Sequence, residues 1–141
     1  MRWVKRGRVF DPTGKADWFV SHAAVPLADH LEGDIFRVYF TGRDRLNRGL
    51  VGSFDIDITE PARVHSVSHP PLLPLGVPGA FDDHGVIASS IVDCEGCKYC
   101  YYAGLTLGRT VPFYFFVGLA LSTSRQSPPA ANRCHPPIQH T

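Results

Sequence analysis

A chain of 141 residues with 44% hydrophobic side chains has the length of one domain and enough apolar content for a core. Its formal charge of +1, from 14 basic and 13 acidic residues, excludes a net field that would draw it to nucleic acid or anionic lipid. Pro, Gly or charge interrupts every apolar run short of the roughly 18 to 20 residues of a membrane-spanning helix, and no apolar signal-peptide core follows the cationic opening Met1 to Arg8. The expectation is a cytoplasmic protein without a membrane partner.

The 12 Pro and 13 Gly cut the sequence into short pieces whose apolar residues are mostly Val, Ile, Phe and Tyr, the side chains that suit a pleated sheet. Strands are expected over residues 18–25, 35–41, 49–58 and 62–68. Within the third, Asp55, Ile56, Asp57 and Ile58 alternate as a strand with one wet face does. Residues 69–79 carry four prolines, which fix φ and remove donors, so they read as an irregular crossing. A second set of strands follows over 86–93, 97–105 and 113–122, the last beginning after Pro112. From 123 to 141 the chain turns rich in Pro and polar residues and reads as a tail, disordered or foreign to the fold.

The two sets echo one another. His22, the Tyr39-Phe40-Thr41-Gly42 run and Gly52 recur as His84, Tyr101-Tyr102-Ala103-Gly104 and Gly118, at offsets of 62, 62 and 66 residues. A period of that size, filled with short strands, implies a radial or stacked β array. The fold class read from this is all-β, as two antiparallel blade-like sheets over about 15–68 and 80–122, the second short of a fourth strand.

The segments Tyr39 to Arg45 and Gly79-Ala80-Phe81-Asp82-Asp83-His84-Gly85-Val86, with Tyr101 to Gly104 and Gly118 to Ser122, resemble five-bladed β-propeller glycosidases. The group is that related to glycoside hydrolase families 43, 32 and 130. The resemblance covers about residues 3–122, and its most specific piece is the Phe81-Asp82-Asp83 segment. It implies a partial propeller with sugar bound at a funnel where the inner strands begin. Asp82 and Asp83 would be catalytic carboxylates there, and His22, Arg43, Asp44, Arg45 and His84 would contact a sugar or glycoside ligand, with no cofactor and no metal. Glycoside hydrolysis needs two carboxylates about 5 to 5.5 Å or 6.5 to 9.5 Å apart, and neighbours in an extended segment point apart. The expectation is therefore an incomplete catalytic set, or one shared between subunits.

Plainer readings stand beside these. Asp82 and Asp83 suit a turn, His22 and His84 suit a structural role, and a two-His site with either Asp has metal-ligand types without supporting spacing. Glu95-Gly96 reads as a two-residue hairpin turn with Cys94 and Cys97 opposite each other. Cys97 and Cys100 then face opposite ways, which argues against a zinc site and for free thiols, or else a Cys94 to Cys97 disulfide. The run Phe113-Tyr114-Phe115-Phe116 is expected in the core; were it exposed, it would promote pairing with another chain, and homo-oligomerisation through open strand edges is expected. Arg2, Lys5, Arg6 and Arg8 read as a solvated terminus, since no recognition helix or stacking platform accompanies them.

Overall fold

The computed structural model describes residues 1–123. Seven strands follow in chain order: β1 (Ser21–Glu32), β2 (Ile35–Arg43), β3 (Gly49–Asp57), β4 (Val64–Val67), β5 (Gly85–Cys94), β6 (Cys97–Leu107) and β7 (Phe113–Thr123). The protein is all-β: among the described residues there is no helix, hence none long and apolar enough to cross a membrane. Strands β1 to β4 pair antiparallel in sequence, as do β5 to β7. One parallel pairing, Gly49 with Gly85, joins the two units into a single open sheet. From residue 124 on, the expected tail lies outside the described residues.

The first strand departs from its expected span. It starts at Ser21, not at Trp18, and continues through Pro26 to Glu32. Pro26 fits because β1 is an edge strand and its pairing to β2 skips from Ala24 to Leu27, so no ladder bond needs the missing N–H. Trp18 and Phe19 instead turn onto the sheet. Trp18 Nε1 donates to the Ser68 carbonyl at 3.0 Å, and its ring occupies the space that a side chain at Gly52 would fill.

Alternation along β2 and β3 sorts their side chains onto two faces. Phe40, Phe54 and Ile56 are buried on one, under Phe19 and Phe10. The Phe10 ring lies 4.5 Å from that of Phe54 and 5.1 Å from that of Phe40, so the residues before β1 form a lid over this face. On the other face Val51 packs with Val86 and Ala88 of β5, with Tyr39, Leu73 and Tyr102 around them. The second unit is thus seated on the first. The crossing over 69–79 is irregular as expected and is tied down where the Leu72 N–H meets the Val51 carbonyl at 2.7 Å.

The β5–β6 hairpin turns at Glu95 and Gly96, both at positive φ (51° and 77°), with Cys94 opposite Cys97; this is the backbone that a two-residue hairpin requires. Cys94 and Cys100 are free thiols. Cys97 is disulfide-bonded, which corrects the free-thiol expectation for that residue, and since Cys94 is free the Cys94 to Cys97 bridge is not made.

The aromatic run is the larger correction. β7 ends the sheet, and Phe113, Tyr114, Phe115, Phe116 and Val117 are exposed, Phe115 by 62% and Val117 by 84%. A core position for them would need a layer beyond β6 and β7, and the described residues supply none.

A Cβ added at Gly52 overlaps the Trp18 ring and comes within 2.9 Å of Ser68 Oγ. Gly52→Ala is expected to lower stability by about 1 to 3 kcal/mol through overpacking. The checks are the urea midpoint and a red shift of Trp18 emission, since Trp3 is already 89% exposed.

Candidate functional site

Strand direction brings the sequence-derived residues to one end of the sheet. β1, β3, β5 and β7 begin there and β2 and β6 finish there, as the pairings Ser21 with Arg43, Gly49 with Gly85 and Leu107 with Phe113 fix. His22 is the second residue of β1, Asp82, Asp83 and His84 lead into β5, and Arg43 to Arg45 lead out of β2. All seven therefore lie along a common rim.

The repeat is physical at this rim. Phe19 sits where a Cβ on Gly42 would come within 2.9 Å of it, and Phe81 sits over Gly104 in the same way, at 2.5 Å. Phe19 also meets Phe40 edge-on at 5.5 Å, while Phe81 stacks with Tyr102 at 6.0 Å. Each pair is separated by the repeat of 62. Three residues beyond each phenylalanine stands a histidine whose Nδ1 is held by the side chain just before it: His22 by Ser21 Oγ at 2.8 Å and His84 by Asp83 Oδ1 at 2.6 Å. With Nδ1 engaged, Nε2 is the ring nitrogen left for a ligand. His22 takes positive φ (64°) within a β-bulge, a device that re-aims a side chain.

The two aspartates part company. Asp82 is buried, accepts from the Tyr102 hydroxyl at 2.9 Å, and has Oδ1 so close to Gly76 that any side chain there would collide with it. Burial and this carboxylate push the Tyr102 phenol up to about 12. Asp83 faces the loop: it holds His84, accepts from the Gly79 N–H at 2.8 Å and receives a hydrogen bond from Thr106. These partners, His84 first, hold its carboxyl at about 2. Asp83 is thus both a turn residue and the group that orients His84.

Asp44 organises the β2–β3 turn. It accepts from the N–H groups of Leu46 and Arg48 at 2.9 and 2.8 Å and pairs with the Arg48 guanidinium at 2.8 Å. Desolvation opposes its ionisation, and the hydrogen bonds from Arg48 and Leu46 prevail, so its carboxyl lies below the ordinary range. Arg43 donates to the Asn47 carbonyl at 2.7 Å, while Arg45 is exposed. Of the three, Asp44 is consumed by the fold and Arg45 is the side chain open to a ligand.

Sequence reasoning missed Tyr102 and Gly76 as partners of Asp82. It also missed a cleft of about 860 Å³ toward the opposite strand ends, lined by Tyr39, Arg37, Asp93 and Lys98 among others. Lys98 bridges the units there, 2.9 Å from Asp29 on β1 and 3.2 Å from Asp93 on β5. Burial works against its charge, and the two carboxylates outweigh that and raise its pKa. Arg37 pairs with Asp55 through two nitrogens at 2.8 and 3.0 Å. The charges here are matched to one another. The available signal was the cross-strand position of Arg37 and Asp55, which is a register fact and needs the strands aligned.

No family model matches the chain. It is 43% identical over 122 residues to proteins of Mycobacterium tuberculosis described as uncharacterized protein MT1551, in strain CDC 1551 / Oshkosh, and uncharacterized protein Rv1502, in strain ATCC 25618 / H37Rv. The match takes in 86% of this chain and 41% of each relative, so the chain spans less than half the length of those proteins.

Because Asp83 titrates at about 2 in the folded protein against an ordinary 3.8, its contribution to stability is fully present above the unfolded value and is lost as pH falls through the folded one. Asp83→Asn is expected to destabilise the protein at neutral pH. Thermal midpoints of the two proteins, measured from pH 5 downward, are expected to converge between about pH 4 and pH 2.

Proposed function

We propose that this chain is a sugar-binding part of a five-bladed β-propeller of the glycosidase-like group, with β1 to β4 as one blade and β5 to β7 as most of another, and without a complete catalytic pair. The observation that carries the reading is the repeated rim histidine. In both units an aromatic seated on a second-strand glycine is followed, three residues on, by an imidazole whose Nδ1 is held and whose Nε2 is offered. Two such nitrogens, with the guanidinium fork of Arg45, suit the vicinal hydroxyls of a sugar ring. The length of the relatives fits as well: 122 residues are 41% of each, so they run to about 300 residues, which a repeat of 62 to 66 fills about five times.

The protonation states favour binding over hydrolysis. A general acid must hold a proton near neutral pH, in a carboxyl whose pKa is raised. Asp83 and Asp44 are held below the ordinary carboxylate range, and Asp82 turns inward to Tyr102 and Gly76. An active hydrolase or phosphorylase would require further carboxylates, for instance from a second subunit. Self-association through surface left open in the second unit belongs to the same reading.

Isothermal titration with a panel of neutral pentoses, hexoses and their aryl glycosides tests this. The expected result is saturable binding, weakened about tenfold by His84→Ala, the size of one lost hydrogen bond to a ligand, with no release of the aryl group. Turnover abolished by Asp82→Asn would replace the binding reading with a shared catalytic funnel. Absence of binding across the panel would remove the carbohydrate reading altogether.

A further inference from the structure

The contact that seats the second unit on the first is repeated, unfilled, on the far side of the second. Tyr39 and Val51 are the residues of the first unit against which Val86 and Ala88 of β5 pack. At the repeat's own offsets of 62 and 66 they recur as Tyr101 and Val117. The pairing recurs with them: Tyr39 lies opposite Ser53 and Thr41 opposite Val51, as Tyr101 lies opposite Leu119 and Ala103 opposite Val117. The reverse faces correspond too. Phe40, which meets Phe19, and Tyr102, which meets Phe81, alternate with these positions and so point the other way.

In the first unit the seat is filled, and in the second it is not. Val51 is 1% exposed, whereas Val117 is 84% and Tyr101 44% exposed. Phe115 and Leu107, further along the same face toward the rim, are exposed by 62% and 57%. Cys97, at the hairpin end of this face, is buried and disulfide-bonded, so the open seat lies beyond it, from Tyr101 to the rim. β7 carries no charged residue, and the β6 positions alternating with Cys100 and Tyr102 there are Tyr101, Ala103, Leu105 and Leu107. Nothing charged on either strand stands in the seat.

We propose that this face is the seat of a third unit of the same repeat, stacked on the second as the second is on the first. The established contact describes the occupant: an antiparallel β unit whose first strand presents a β-branched and a small side chain at alternate positions, as β5 presents Val86 and Ala88. A repeat unit does not bury both of its faces alone, and a neighbour of its own kind fits the face it offers. The relatives have the chain for it, since the match takes in only 41% of each. The inference rests on the functional reading above for the stacking of successive units and not for sugar binding. Without that unit the same face is left to the self-association named there, and the two compete for it.

The test compares the 141-residue chain, diluted until it no longer associates, with a chimera in which its residues 1–123 replace the matched part of the strain H37Rv relative. Each carries either Val117→Cys or Leu46→Cys, Leu46 being 72% exposed in the β2–β3 turn away from the face. Maleimide labelling is read site by site by peptide mass, because Cys94 and Cys100 are themselves free. In the chain alone both sites are expected to label rapidly. In the chimera Val117→Cys is expected to slow about a hundredfold, as a thiol reached only when a packed face opens, with Leu46→Cys unchanged. A benzophenone carried by Val117→Cys is expected to cross-link to the relative's part of the same molecule. Equal labelling of Val117→Cys in a chimera that melts cooperatively would overturn the proposal, and so would a cross-link to a second copy. Slow labelling of Val117→Cys already in the isolated chain would overturn it too, the face then being covered within the chain. Should the chimera not fold, the natural relative with cysteine at the position aligned with Val117 decides by the same two outcomes. Sugar titration of the chimera separates the readings: protection of Val117→Cys without sugar binding leaves the seat standing alone, and sugar binding with that site reactive removes only the seat.

Discussion

The rest of the structure depends on a phenylalanine seated on a glycine, once in each unit. Phe19 over Gly42 and Phe81 over Gly104 fix where the first strand of each unit starts relative to the second. A Cβ on either glycine would lift the ring off the sheet, and the segment between ring and strand would lose its anchor. In the first unit that anchor also seats Trp18 over Gly52 and helps close the Phe10 lid. In the second it puts Asp82 under Tyr102 and Asp83 beside His84. The rim follows from this packing contact, since loops hold chemistry only as well as the scaffold beneath them is fixed.

The two strand ends then have opposite electrostatic characters. At the rim the carboxylates are spent on structure, Asp44 on its turn and Asp83 on Gly79 and His84, leaving guanidinium and imidazole nitrogens outward. Toward the other end Arg37 and Lys98 are neutralised by Asp55, Asp29 and Asp93. A net charge of +1 conceals this arrangement, because composition counts charges without saying which are paired. The Lys98 bridge between β1 and β5 also supplements the single parallel pairing of Gly49 with Gly85, which alone is a slight connection between the units.

Much of the fold was legible in the sequence. The strands from β2 to β7 lie close to where alternation, β-branched content and proline placed them, and the Glu95-Gly96 turn set the β5–β6 register as far as Ser90 and Tyr101, beyond which a bulge shifts it by one residue. The start of β1 was not legible, because Trp18, Phe19 and Val20 are as strand-like as anything that follows and only the glycines at 42 and 52 decide that the rings leave the strand. The burial of Phe113 to Phe116 was misjudged for a related reason: hydrophobicity states what a side chain gains by burial, not whether another layer is there to bury it.

By itself, then, the sequence determined the all-β class, the strand-rich repeat of 62 to 66 residues and the rim residues that recur with it, since periodicity and turn chemistry are local and act through adjacent residues. Tertiary structure decided which of those residues remain available. Asp44 and Asp83 were drawn into turns, Asp82 was buried against Tyr102 and Gly76, and the two histidines were left with one nitrogen held and one offered. These outcomes rest on contacts between residues far apart in the chain, such as Trp18 with Ser68 and Asp82 with Tyr102, which no local pattern encodes.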